Sequence, residues 1–185
     1  MGNSALLVID AQVGIVEGFE LGPVFNKEVF LTTMKTVIDK ARVKDIPIIY
    51  IIDTDVADPG TMEYQVHPFI APLKDDTVIP KKSTDAFYQT SLNDYLVTLD
   101  INHIIVIGCK TEFCIDTTCR RATTLGYDVT LVADAHSTTD NKVLSASQII
   151  AHHNENLQGL ENIGHSILVR HSSEDIFEHI HLENK

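Results

Sequence analysis

At 185 residues and 44% hydrophobic, the chain has the size of one globular domain with a core of its own. A formal charge of −12 argues against a nucleic-acid partner, because phosphate recognition needs a basic face. No apolar run approaches the roughly 20 residues of a membrane helix, and the opening MGNSALLVID lacks the basic and long apolar regions of a signal peptide.

The first run, ALLVID (Ala5–Asp10), reads as a buried strand. A helix is expected over Asn26–Asp45, with Val29, Phe30, Met34, Val37 and Ile38 on one face. IPIIYIID (Ile46–Asp53) is the second strand. Thr54–Thr90, broken by five Pro and Gly residues, reads as an irregular wall over a site, with TVIP (Thr77–Pro80) as a short strand inside it. A helix over Ser91–Ile101 leads to the strand HIIVIG (His103–Gly108). The next helix starts at Cys114 and stops at Gly126, a natural C-cap. DVTLVADA (Asp128–Ala135) is a strand, Val143–Leu157 a helix, and SILVR (Ser166–Arg170) a weaker strand. SSEDIFEHIHLE reads as a closing helix capped by Ser172 or Ser173.

The strands are rich in Val and Ile and barely alternate, as parallel strands covered on both faces do. The alternation of strand and helix predicts a single domain over residues 1–185. Its fold class is three-layer α/β/α, with a mostly parallel sheet in the Rossmann-like order 3-2-1-4-5-6. Ligands of such sheets bind beyond the carboxyl ends of the strands. Asp10, Asp53, Lys81, Cys114, Asp134 and His136 all fall there.

All three cysteines lie in GCKTEFCIDTTCRR, five residues apart. C-x4-C-x4-C lacks the paired spacing of a structural zinc site. An odd number of cysteines without a secretion signal fits a reducing, cytoplasmic setting, which disfavours a disulfide. Cys109 ends an apolar strand and reads as core. Cys119 points to another helix face. Cys114 is the candidate nucleophile, expected at a helix N-terminus where the dipole favours a thiolate and free N–H groups can hold an oxyanion. Asp10 can serve as its base if the first and HIIVIG strands are neighbours, and a nearby lysine can hold the carboxylate.

Four segments together resemble the isochorismatase-like cysteine hydrolases, a superfamily that also holds nicotinamidases and N-carbamoyl amide hydrolases. They are ALLVIDAQ, IPKKSTDAFYQTSL, NHIIVIG and GCKTEFCIDTTCRRATTLGYDVTLVADA, reaching from residue 5 to about 136. The K-x5-F-x2-T-x-L register selects Lys81, with Phe87, Thr90 and Leu92, over Lys82. The resemblance implies Asp10 as general base, Cys114 as nucleophile and Lys81 as the residue that positions and charges them. It implies attack on an amide-type carbonyl, a thioester intermediate, and an oxyanion hole from the N–H groups of Lys110 and Cys114. It also implies a cis peptide at Cys109–Lys110 and a homo-oligomer, dimer or tetramer, for which the late helix offers apolar positions.

Two departures stand out. Where nicotinamidases carry D-x-H after the second strand, this chain reads Asp53-Thr54-Asp55, and His67 alone does not rebuild the metal site. No catalytic metal and no cofactor are therefore expected. Lys110 replaces a small or apolar residue. Gln12, Phe19 and Phe113 are candidate walls of a pocket for a small-molecule substrate. The late histidines, among them His152, His153, His179 and His181, lack i, i+4 pairs and are expected at the surface or an interface. The leading expectation is a metal-independent cysteine hydrolase of a small amide or related C–N bond. The alternatives are a catalytically idle binding or assembly module and, less well supported, a thiol redox protein.

Overall fold

The computed structural model describes residues 3–19 and 22–181. Seven strands form one sheet: β1 (Ser4–Ile9), β2 (Ile48–Asp53), β3 (Thr77–Lys81), β4 (His103–Cys109), β5 (Asp128–Ser137), β6 (Glu161–Asn162) and β7 (His165–Arg170). Their order is β3-β2-β1-β4-β5-β7-β6. SILVR therefore lies beside β5, as expected for the last strand. The seventh strand is the two-residue β6, paired antiparallel to β7 as an edge hairpin too short to read from a pattern. All other pairs are parallel.

The helices are α1 (Val13–Val16), α2 (Lys27–Val43), α3 (Leu92–Thr98), α4 (Asp116–Leu125) and α5 (Ala146–Leu157). Strand residues point alternately to two cores. Leu7, Ile9, Ile49, Ile51, Ile104 and Val106 pack against Leu92, Leu96, Cys119, Ala122 and Leu157 of α3, α4 and α5. Leu6, Val8, Tyr50, Ile105 and Ile107 pack against Phe30, Met34, Val37 and Ile38 of α2. Gly126 ends α4 in the left-handed region, as its position predicts. α5 starts three residues later than expected, because Ser145 and Gln148 form a capping box there.

The predicted C-terminal helix is absent over residues 172–181, which run as turns ending in a single 3-10 residue at His181. The rest of that prediction, Leu182–Glu183, lies outside the described residues. Tertiary contacts hold the segment instead. Asp134 accepts from Ser172 N–H (2.9 Å) and Oγ–H (2.7 Å), and Ile176 and Phe177 complete the α2-side core.

Among the described residues, no helix is long and apolar enough to cross a membrane.

Candidate active site

β1 and β4 are neighbours in register, Ile9 opposite Gly108. Their carboxyl ends therefore deliver Asp10 and the Cys109–Lys110 loop side by side. The approach is close. A Cβ on Gly108 would lie 2.0 Å from the Ile9 carbonyl oxygen, and Gly108 has φ +129°, so only glycine fits. The Cys109–Lys110 bond is cis. Asp10 itself has φ 48°, a left-handed conformation that Asp tolerates better than most residues.

β3 lies two strands away from β1, with Lys81 opposite Asp53 of β2. The long lysine crosses that gap. Its Nζ lies 2.8 Å from Asp10 Oδ2, 3.1 Å from Asp53 Oδ2 and 3.4 Å from Cys114 Sγ. Asp10, Lys81 and Cys114 are all buried; Lys82 is exposed. One carboxylate oxygen each from Asp10 and Asp53, and the Cys114 sulfur, lie within 4.8 Å of one another. Such a set could hold a cation, and the Lys81 ammonium already sits among all three. His67, the other candidate ligand, pairs with Glu17 (3.3 Å) instead.

The helix carrying Cys114 begins earlier than its sequence suggests. A π-helical turn spans Thr111–Ile115 and runs into α4, so one residue, Lys110, separates β4 from it. Cys114 is the fourth residue of this turn, not the first. Phe113 and Ile115 N–H groups both donate to the Lys110 carbonyl, at 3.1 and 3.3 Å, a bond the intervening Cys114 N–H does not make. The turn is braced from behind. Thr111 Oγ1 and His136 Nδ1 are 2.9 Å apart, His136 Nε2 meets Asn154 Oδ1 at 2.8 Å, and Asn154 donates to the Ala133 carbonyl. Burial pushes His136 down to about 4, so it braces as a neutral ring.

Electrostatics reverse one expectation. Burial, then the Asp10 charge, push the Cys114 thiol up to about 12, outweighing Lys81. The resting sulfur is thus a thiol. The site is too dry, and Asp10 too near, for a standing thiolate. Burial also raises Asp10 to about 6 against the pull of Lys81. Burial alone would lower Lys81, but Asp10, Cys114 and Asp53 hold it well above its ordinary value. Cys109 and Cys119 are fully buried, with thiols raised by burial; the three cysteines are free.

Gln12 is not a pocket wall. Its side chain is fully buried and spent on backbone: Nε2 donates to the carbonyls of Asp53 (2.9 Å) and Tyr64 (3.0 Å), and Oε1 accepts from Asp53 N–H (2.7 Å). Phe19 and Phe113 are exposed, Phe113 immediately before Cys114. Lys110 reaches sideways to Thr139 Oγ1 (3.3 Å). A cavity of about 290 Å3 opens beside Lys81, between Thr54, Lys82, Ser83, Tyr88 and Gln89. A larger concavity, about 860 Å3, lies at the opposite end of the sheet, remote from this chemistry.

The isochorismatase domain model matches residues 4–152, more than half of the chain. The chain belongs to the isochorismatase family. An isochorismatase family protein of known structure is 32% identical, with a TM-score of 0.83, covering 91% of this chain and 98% of that one. A streptothricin hydrolase of Streptomyces noursei is 29% identical over 140 residues, 74% of this chain and 55% of its own length. The chain thus spans about half of that relative. A secreted isochorismatase effector of Verticillium dahliae is 26% identical over 153 residues, 80% of each chain.

The sequence alone brought Asp10, Lys81 and Cys114 to one edge of the sheet, and the structure places them in contact. It passed over Asp53 as a member of the group. Its signal was its place at a strand end opposite Lys81, which shows only once the β2–β3 register is known.

Proposed function

We propose that the chain is a metal-independent cysteine hydrolase of a small amide or related C–N bond. The observation that carries this is the Lys81 ammonium within 3.4 Å of both the Asp10 carboxylate and the Cys114 sulfur in a buried setting. A buried thiol with a carboxylate and a cation beside it can attack a carbonyl carbon as its proton passes to Asp10. The backbone N–H groups of Lys110 and Cys114 receive the developing oxyanion. Asp10 then gives the proton to the leaving amine or ammonia, leaving a thioester on Cys114. Water, activated by Asp10, hydrolyses that thioester and restores the thiol. The roles of Asp10, Lys81 and Cys114 follow the family pattern, and Asp53 shares the lysine's charge.

The setting favours an uncharged reacting group. With Asp10 protonated, the cluster holds one cation, Lys81, and one anion, Asp53. With Asp10 ionised, it carries a net negative charge that disfavours an anion beside the sulfur. The name of the streptothricin hydrolase relative fits hydrolysis, and the small cavity beside Lys81 fits a small substrate. Three free thiols fit a reducing compartment such as the cytoplasm. Exposed Val143 and Leu144 before α5 offer apolar contacts for a homo-oligomer, testable by light scattering on the purified chain.

The test is a panel of small amides, ureas and carbamoyl compounds, read by ammonia or amine release and by mass spectrometry of acid-quenched protein. An acyl adduct on Cys114, and fast alkylation of Cys114 by iodoacetamide that slows in Asp10→Asn and Lys81→Ala, are expected. A Cys114 that forms no adduct and reacts no faster than Cys109 and Cys119 would point to an idle binding module instead.

A further inference from the structure

The end of the sheet remote from Cys114 gathers a second cluster. Asp128 opens β5 and His103 opens β4, and the turns of residues 171–181 bring His179 and His181 to them. His179 Nε2 lies 2.8 Å from Asp128 Oδ2, and its ring stacks on His103 with centroids 4.7 Å apart and planes 4° from parallel. His181 is buried, and its Nε2 lies 2.8 Å from the Val129 carbonyl oxygen. One ligand atom from each of Asp128, His179 and His181 lies within 4.8 Å of the others. The expectation of surface histidines is therefore overturned for His179 and His181, because residues 172–181 fold onto the sheet instead of forming an exposed helix.

The hydrogen bonds around this group leave lone pairs unused. Ser166 N–H fixes Asp128 Oδ1 at 2.9 Å, which leaves Oδ2 turned to His179. His181 can only donate Nε2–H to a carbonyl, so its Nδ1 carries a lone pair. That atom and His179 Nδ1 are buried without a hydrogen-bond partner. A ring whose second nitrogen donates to a backbone carbonyl is oriented as metal-bound histidines are. His103 has both nitrogens engaged, by Ser4 Oγ (2.9 Å) and Thr130 Oγ1 (2.8 Å), so it is a stacking platform. His165 comes next, with Nδ1 3.6 Å from Asp128 Oδ1 and itself unpartnered.

We propose that Asp128, His179 and His181 form a structural site for one borderline divalent cation of the zinc, cobalt or nickel class, tying residues 171–181 to the start of β5. Two imidazoles and a carboxylate suit these ions better than magnesium or calcium, which prefer all-oxygen sets. The ion has a route in. His179 borders the 860 Å3 concavity, whose lining includes Asp45, Asp175 and Glu178. The site is independent of the chemistry at Cys114.

The test uses the full chain, stripped by a chelator, as the Cys114→Ser variant so that the Asp10, Asp53 and Cys114 set does not compete for the ion. Cobalt(II) is titrated, followed by its visible d–d absorption and by the thermal unfolding midpoint. Expected are one ion per chain, a raised midpoint, displacement by zinc and no response to magnesium. His179→Gln and His181→Gln should each weaken binding ~10-fold or more, while the surface control His152→Gln/His153→Gln should bind as the parent does. Should a variant fold poorly, imidazole NMR of the parent chain gives the same answer: zinc must shift the ring signals of His179 and His181 and leave His152 unmoved. Absence of stoichiometric binding overturns the proposal, as does binding that survives both single substitutions or follows His152 and His153.

Discussion

Lys81 and Asp53 stand opposite each other in the β2–β3 register, and the lysine Nζ reaches Asp53 Oδ2 at 3.1 Å while also meeting Asp10 at 2.8 Å. One ammonium thus serves two carboxylates, and each carboxylate sets how strongly the other is held. The Asp53 charge is one of the causes that raise Asp10. Asp53→Asn should therefore lower the Asp10 pKa from about 6, moving the acid limb of the pH–rate profile to lower pH. Activity rises with pH through that limb, since the base must be ionised. The profile of Cys114 alkylation in both proteins checks this, and an unmoved limb refutes it.

Lys81→Ala should be destabilising in a pH-dependent way. The substitution leaves a buried Asp10 with no cation, a loss of about 3–5 kcal/mol near neutrality. In the variant the Asp10 pKa rises further, because burial is then opposed by nothing of like strength. A carboxyl with a raised folded-state pKa favours the native state below its unfolded value, and that benefit is lost as pH rises through the folded one. The deficit should be small near pH 4 and largest above pH 7. Urea unfolding of both proteins across that range measures it.

Gly108→Ala should prevent normal folding or cost about 3–5 kcal/mol. The added Cβ would meet the Ile9 carbonyl oxygen at 2.0 Å, backbone that cannot move without parting β1 from β4. Chemical denaturation, or recovery in the soluble fraction, reads the effect. Near-normal stability would refute this close approach of β1 and β4.

Gln12→Ala should cost about 2–4 kcal/mol, because it strands a buried Asp53 N–H and two carbonyls. It should also slow Cys114 alkylation, since Asp53 loses the bond that sets its height beside Lys81. Gln12→Glu retains the acceptor for Asp53 N–H and should recover part of the stability at acidic pH, where it can also donate. Equal losses in both variants across pH would refute this account.

Much of this was legible because buried parallel strands are written as Val and Ile runs, and a reactive residue placed just after such a run has little freedom in where it ends up. Asp10 follows from that, and Cys114 from its place in the loop after HIIVIG, whereas the choice of Lys81 over Lys82 rested on the K-x5-F-x2-T-x-L resemblance. The start of the Cys114 helix was not legible. Lys110-Thr111-Glu112 carries no strong start signal, and the π turn is set by the geometry of the loop against β4 and by the brace through Thr111 and His136. The last segment misled for another reason. Ile176, Phe177 and Ile180 have helical spacing, yet the segment is governed by what it touches: the α2-side core, Asp134 and Asp128. Local pattern cannot reveal a short stretch whose conformation is set by long-range partners. The role of Gln12 was hidden likewise, since a buried amide bonded to backbone looks in sequence like any residue near a pocket.

That one amide has a wider reach. By holding the carbonyls of Asp53 and Tyr64 together, Gln12 pins both ends of residues 54–63, and Gly14 N–H holds Glu63 as well (2.9 Å). The ends of this loop are therefore fixed by β1 and α1, whatever lies between them. Residues 56–62 can therefore vary in length and sequence while the spacing of Asp10, Asp53 and Lys81 stays anchored, whereas Asp55, whose N–H donates to Asp53 Oδ1 (2.9 Å), belongs to the fixed frame.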